Sequence, residues 1–242
     1  MGSNNELAGS SRQGQSRRVF LEWGFKAAIV PAVVGIGLSA SCNNKEDEED
    51  VTPPEDLMRE HGVLNRVLLV YDHFLSMLSS GQSMDPGLLS AAAGIIRSFI
   101  EDYHEKQEED YLFPRFEKAH QLTDLVTVLR QQHQAGRTIT AQIMLLGKQP
   151  QISSEDDRRK LQGLLSSFNR MYRPHEARED TVLFPALRKI VSKHEFDSLG
   201  EDFEKREHQL FGENGFETFV DKVSRIEQQL GIFELAQFTP RV

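Results

Sequence analysis

One phrase occurs twice in this chain, and it constrains the fold more than any other feature. His104 is followed four residues on by Glu108 and then by Leu112-Phe113-Pro114; His175 is followed by Glu179 and then by Leu183-Phe184-Pro185 at the same offsets. A further histidine precedes each copy at nearly the same distance, His61 before the first and His133 before the second. A helix turns about 100° per residue, so positions i and i+4 lie on one face, one turn apart. His104 and Glu108 therefore point the same way, and so do His175 and Glu179. The halves read as two helix pairs, each with a lone His on its first helix and His-x-x-x-Glu on its second.

The apolar pattern agrees. Leu57, Leu64, Leu68, Tyr71 and Leu75 step by threes and fours, as do Ile95-Ile96-Phe99-Ile100, Leu122-Leu125-Val128-Leu129 and Leu161-Leu164-Leu165-Phe168. Breaks fall at Ser79-Ser80-Gly81 to Pro86-Gly87, near His120-Gln121, from Gly147 to Ser154, and near Ser192-Lys193-His194. No run alternates as a strand does. The expectation is an all-α fold: an antiparallel up-down-up-down four-helix bundle over residues 55–192, with a C-terminal helical extension over 193–242. Leu112, Phe113, Leu183 and Phe184 read as core, and Pro114 and Pro185 as bends just past each copy of the phrase.

If the repeated face looks inward, four imidazoles and two carboxylates meet in an apolar interior, where an unpaired carboxylate costs several kcal/mol. Two cations bridged by Glu108 and Glu179 would compensate. Imidazole plus carboxylate suits iron, manganese or zinc. The single cysteine, Cys42, excludes an internal disulfide framework, a Cys-based zinc site and a cysteine-held iron–sulfur cluster. The net charge of −9 argues against nucleic acid or an anionic membrane surface as partner. A single His-x-x-x-Glu is commonly a weak surface ion pair; six residues in two matched halves are not. Glu105, Glu109 and Asp110 read as the solvated face beside the phrase.

On these residues the chain resembles the hemerythrin-like, or HHE, cation-binding family over about residues 56–192. The resemblance implies a four-helix bundle around two non-haem iron ions, with His61, His104, Glu108, His133, His175 and Glu179 as ligands. Oxygen-carrying members have a second His four residues after the third-helix His, where this chain has Arg137. They also end with an Asp five residues after the last His, where this chain has Glu179 at four. It is therefore similar to the four-His, two-Glu branch, which includes sensors and nitrosative-stress proteins. Its iron–sulfur repair members carry an N-terminal cysteine-bearing domain that is not seen here.

Residues 1–42 resemble a twin-arginine export signal: Arg17-Arg18, Phe20 two positions on, a moderate apolar stretch over 27–40, then Ser41-Cys42. That stretch would span only about 21 Å as a helix, short of the roughly 30 Å hydrocarbon core of a bilayer. Cys42 resembles a lipoprotein attachment site, which would give a membrane tether; plain cleavage after Ala40 or Ser41 is the alternative. Residues 43–54, with their acidic run and Pro53-Pro54, read as an extended linker. Further helices are expected near 195–211 and from Asn214 to Gln229. His208, in the first of these, stands as an additional ligand or proton donor, against an ordinary histidine packed on the exterior. His73, His120 and His194 read as residues facing elsewhere, caps or surface.

The functional expectation is an exported di-iron protein that binds or senses O2 or NO, with periplasmic or outer-face location and a redox partner that the sequence does not name. The alternatives are an oxidoreductase reducing peroxide or NO, and an iron-handling protein of the envelope.

Overall fold

A computed structural model describes residues 51–241; the Arg17-Arg18 segment, the apolar stretch 27–40 and Cys42 lie outside the described residues. The first helix, α1 (Pro53–Ser79), begins inside the expected linker. Proline suits this place because the first-turn N–H groups have no intrahelical acceptor anyway. Glu55 turns back to accept from the Thr52 backbone N–H at 2.9 Å and its hydroxyl at 2.8 Å, and so closes the helix start. Thr52 to Pro54 are thus the start of the helix rather than the end of a tether.

The second helical rod, α2, runs as Pro86–Ile95, Ile96–His104, Glu105–Gln107, Glu108–Leu112 and Phe113–Ala119, with the second and fourth stretches in π geometry. The third, α3, spans Thr123–Gly147. The fourth, α4, runs as Glu155–Arg178, a π stretch Glu179–Leu183 and Phe184–Ile190. Two more follow, α5 (Lys193–Phe211) and α6 (Gly215–Leu230), then a short 3-10 turn at Leu235–Phe238. There is no strand among the described residues, and none of the described helices is long and apolar enough to cross a membrane.

Packing follows the apolar stripes. Among α1 to α4, α1 lies on α4 and α2, and α3 lies on α2 and α4. Helices α5 and α6 cover α1, and α6 also covers α2. The core falls into two apolar clusters. One runs through Leu64, Phe74, Phe99, Phe168 and Phe219, the other through Leu57, Phe113, Phe116, Phe184 and Phe203. His61, His104, His133 and His175 each fall in sequence between residues of the first cluster and residues of the second. A polar layer thus crosses the interior between the two apolar clusters.

Phe99 is the hinge of the C-terminal extension. Its ring lies 4.4 Å from that of Phe219 and 6.1 Å from that of Phe211. Arg66 of α1 adds a pair to Glu227 of α6, with Nε donating at 3.0 Å. In the C-terminal tail Phe233, Leu235 and Phe238 are all exposed. Deleting the Phe99 ring should cost about 3–5 kcal/mol, as a large buried aromatic usually does. Phe99→Ala is expected to lower the unfolding free energy measured in urea by that amount and to raise amide exchange first in residues 215–230.

Candidate metal centre

The two copies of the phrase share a backbone device that periodicity does not reveal. Each begins a five-residue π stretch at its glutamate, Glu108–Leu112 and Glu179–Leu183, and each proline enters at the start of the α-helical stretch that follows. Proline has no N–H to give and its ring clashes with the carbonyl four residues back. A wider π turn moves that carbonyl and absorbs the defect. The phenylalanines then take defined places. Phe184 stacks on His61 at 5.5 Å and Phe113 on His133 at 5.5 Å, so each closes over the lone His of the other half.

The six expected side chains come together, none more than 4% exposed. They form two groups that share their carboxylates: His61, His104, Glu108 and Glu179, and Glu108, His133, His175 and Glu179, each with ligand atoms within 4.8 Å of one another. Glu179 presents one oxygen to each group, Oε2 at 3.4 Å from His61 Nε2 and Oε1 at 3.2 Å from His175 Nε2. Glu108 Oε2 lies 3.8 Å from His104 Nε2 and 3.4 Å from His133 Nε2. Both oxygens of Glu108, both of Glu179, and His133 Nε2 are buried without a hydrogen-bond partner. Buried orphan acceptors are rare in folded proteins and call for a ligand. These groups could hold metal ions.

A second layer fixes the imidazoles. The Nδ1 atoms of His61, His104, His133 and His175 meet Asp180 at 2.8 Å, Glu60 at 2.7 Å, Glu109 at 3.1 Å and the Gln132 Oε1 at 2.8 Å. Each partner is an acceptor, so Nδ1 donates to it, and Nε2 is turned inward, where it can offer its lone pair to an ion once any proton on it has left. The layer repeats as the first does. Asp180 and Glu109 directly follow the two site glutamates, while Glu60 and Gln132 directly precede the two lone histidines. The signal was therefore present in the sequence, one residue outside the motif.

Glu105 and Glu109 are corrected by this geometry. Glu105 is buried, accepts from the Tyr172 hydroxyl at 2.6 Å and pairs with Arg137 at 2.8 Å; Glu109 is half-buried and pairs with the other Arg137 nitrogen at 2.8 Å. Only Asp110 is exposed. The helix turn that aims His104 and Glu108 inward also aims their neighbours at the flanking helices. Tyr172 reaches Glu105 only because position 136 is glycine, where a Cβ would stand 2.0 Å from the tyrosine oxygen. His208 takes the exterior one of its two readings. It is exposed and belongs to neither group, because the inward face of α5 carries Glu207, one residue and a quarter turn away. Glu207 accepts from Tyr103 at 3.2 Å and the Phe216 backbone N–H at 2.9 Å. His73 is half-buried away from the site, His120 caps α2 in a left-handed conformation, and His194 is exposed.

Without an ion the charges settle among themselves. Burial works against a charged His61, but Asp180 and Glu179 outweigh it and hold this imidazole up at about 10. Burial also opposes a charged Glu179, yet His175 and His61 keep it well below the usual carboxylate range. Glu108 goes the other way, pushed well up by burial and by the charge of Glu179. Burial pulls His133 down to about 4. His61 and Glu108 are thus biased towards keeping a proton, and Glu179 towards losing one.

A contrast of glycines tests the packing around Glu105. Gly136→Ala is expected to displace the Tyr172 hydroxyl and destabilise the fold by about 2 kcal/mol or more, as overpacking typically does. Gly62→Ala, on an open helix surface with nothing within 4 Å of a Cβ, is expected to stabilise by about 0.5–1 kcal/mol. Thermal and urea melts of the pair measure both signs.

Residues 52–187 match the hemerythrin HHE cation-binding domain family. Over 195 residues the chain is 49% identical to an uncharacterised protein of Mycobacterium bovis and to one of Mycobacterium tuberculosis strain H37Rv, covering 81% of this chain and 76% of each relative. No solved structure matches the chain. The family match spans more than half of the sequence and takes in all six inward-facing groups and the layer behind them. The chain belongs to the hemerythrin HHE cation-binding family.

Proposed function

We propose that this is an exported non-haem di-iron protein that binds or senses O2 or NO at a carboxylate-bridged metal pair. The observation that carries the reading is the set of buried glutamate oxygens without partners, ringed by four imidazoles whose Nε2 atoms are aimed by fixed Nδ1 bonds. His61 and His104 would hold one ion, His133 and His175 the other, and Glu108 and Glu179 would span both. When bound, such a pair supplies open coordination positions and electrons for a diatomic ligand. The chain's own residues do the rest. Phe113 and Phe184 keep water off His133 and His61, and the Nδ1 partners hold each ring in orientation. Arg137, at the place where oxygen carriers have a further histidine, turns to Glu105 and Glu109 and adds no ligand.

In this reading α1 to α4 run up-down-up-down as an antiparallel bundle. Arg17-Arg18 direct export to the periplasm or the outer face of the membrane, with Cys42 as the site of a lipid tether. A twin-arginine route carries folded protein, which suits a chain that takes up its ions before export. Arg17→Lys with Arg18→Lys should leave the protein in the cytoplasm on cell fractionation; unchanged export would remove this part of the proposal.

Two measurements test the centre itself. Absorption spectra of the anaerobically reduced, iron-loaded protein are expected to change on adding O2 or NO, and no change with either gas would overturn the reading. Ion uptake should also release protons, because metal ligands bind deprotonated. His61 is held protonated at about 10 and Glu108 is held protonated well above the usual carboxylate range. Titration at pH 7 in weak buffer should therefore release protons in step with metal uptake, read with a pH dye.

A further inference from the structure

The two halves of the centre are related by the repeat, and the layer that holds the imidazoles differs in charge at one place. His104 is backed by Glu60, the residue before His61, whereas His175 is backed by Gln132, the residue before His133. The pair His61 and His104 therefore leans on two carboxylates, Asp180 and Glu60. The pair His133 and His175 leans on a neutral amide and on Glu109, whose charge is already shared with Arg137 and with Lys106 at 3.1 Å. A carboxylate behind an imidazole raises its basicity towards a metal, and changing such a partner typically alters affinity 10–100-fold.

The surroundings break the symmetry in the same direction. Helices α5 and α6 lie over α1, and Glu207 of α5 reaches Tyr103 of α2, so the face behind Glu60 is covered. Among the described residues, no further helix lies over the matching face between α3 and α4. It carries a groove of about 380 Å³ with Gln132 and His175 in its wall, Leu125 and Val128 along its side, and Asp124 and Arg178 as its oppositely charged groups. Val128 is largely exposed there, although its place in the apolar stripe marks it as core.

We infer that the two metal positions are unequal by construction: the one at His133 and His175 is the exchangeable position, and Gln132 is the positioning residue that makes it so. This rests on the two-ion reading above.

Release of ferrous iron from the loaded, anaerobic full chain to excess ferrozine tests it. Wild type is expected to lose one ion per chain in a fast phase and the second at least tenfold more slowly. Gln132→Glu, which restores the carboxylate of the other half, should slow the fast phase roughly tenfold and leave the slow phase in place. Glu60→Gln, if its helical circular dichroism matches wild type, should quicken the slow phase; if it does not fold, Gln132→Glu alone decides. Loss of both ions in one phase, or a fast phase unmoved by Gln132→Glu, overturns the inference while leaving the two-ion reading intact. Fewer than two ions bound at the start would instead defeat that earlier reading.

Discussion

Two glutamates, Glu108 and Glu179, sit fully buried between two apolar clusters, and the rest of the molecule is arranged around them. Burying a carboxylate without compensation costs several kcal/mol, so an interior built this way needs positive charge. In the absence of an ion, His61 is biased towards supplying it as an imidazolium and Glu108 towards giving up its own charge by keeping a proton. That is a holding arrangement, since the glutamate oxygens still lack hydrogen bonds. Everything that aims the four Nε2 atoms at them serves the same pair of positions.

The repeat explains why so much hangs together. Each half contributes a lone histidine, a His-x-x-x-Glu turn, a π stretch that accommodates a proline, and a phenylalanine laid over the opposite half's histidine. The residues flanking these positions form the next layer out, so the polar network is written in a few contiguous stretches of sequence. Beyond it, Arg137 ties Glu105 and Glu109 together on one side, while Asn65, at the corresponding place on α1, meets Glu176 at 2.7 Å. The halves are alike where the ions would sit and diverge in what stands behind them.

Helix positions, breaks and the six inward residues were legible because they depend on spacing along one helix, which a sequence displays directly. What lay hidden depends on contacts between helices. Glu105 and Glu109 look like an ordinary charged surface until α3 brings Arg137 and His133 against them. His208 draws attention as a histidine, yet the fold turns its neighbour Glu207 inward. The π stretches are invisible to a 3.6-residue pattern, although a proline two positions beyond each five-residue Glu-to-Leu span marks where strain must be absorbed. Thr52 and Pro53 look like the end of a linker in composition, but their positions are those of a helix start.

Elemental analysis of the folded protein, stripped of loosely held ions by gel filtration, tests the central claim most directly. The account predicts two transition-metal ions per chain, one for each of the two groups that could hold an ion around the shared glutamates. A well-folded preparation that holds none, and takes up none when iron, manganese or zinc is offered, would contradict it.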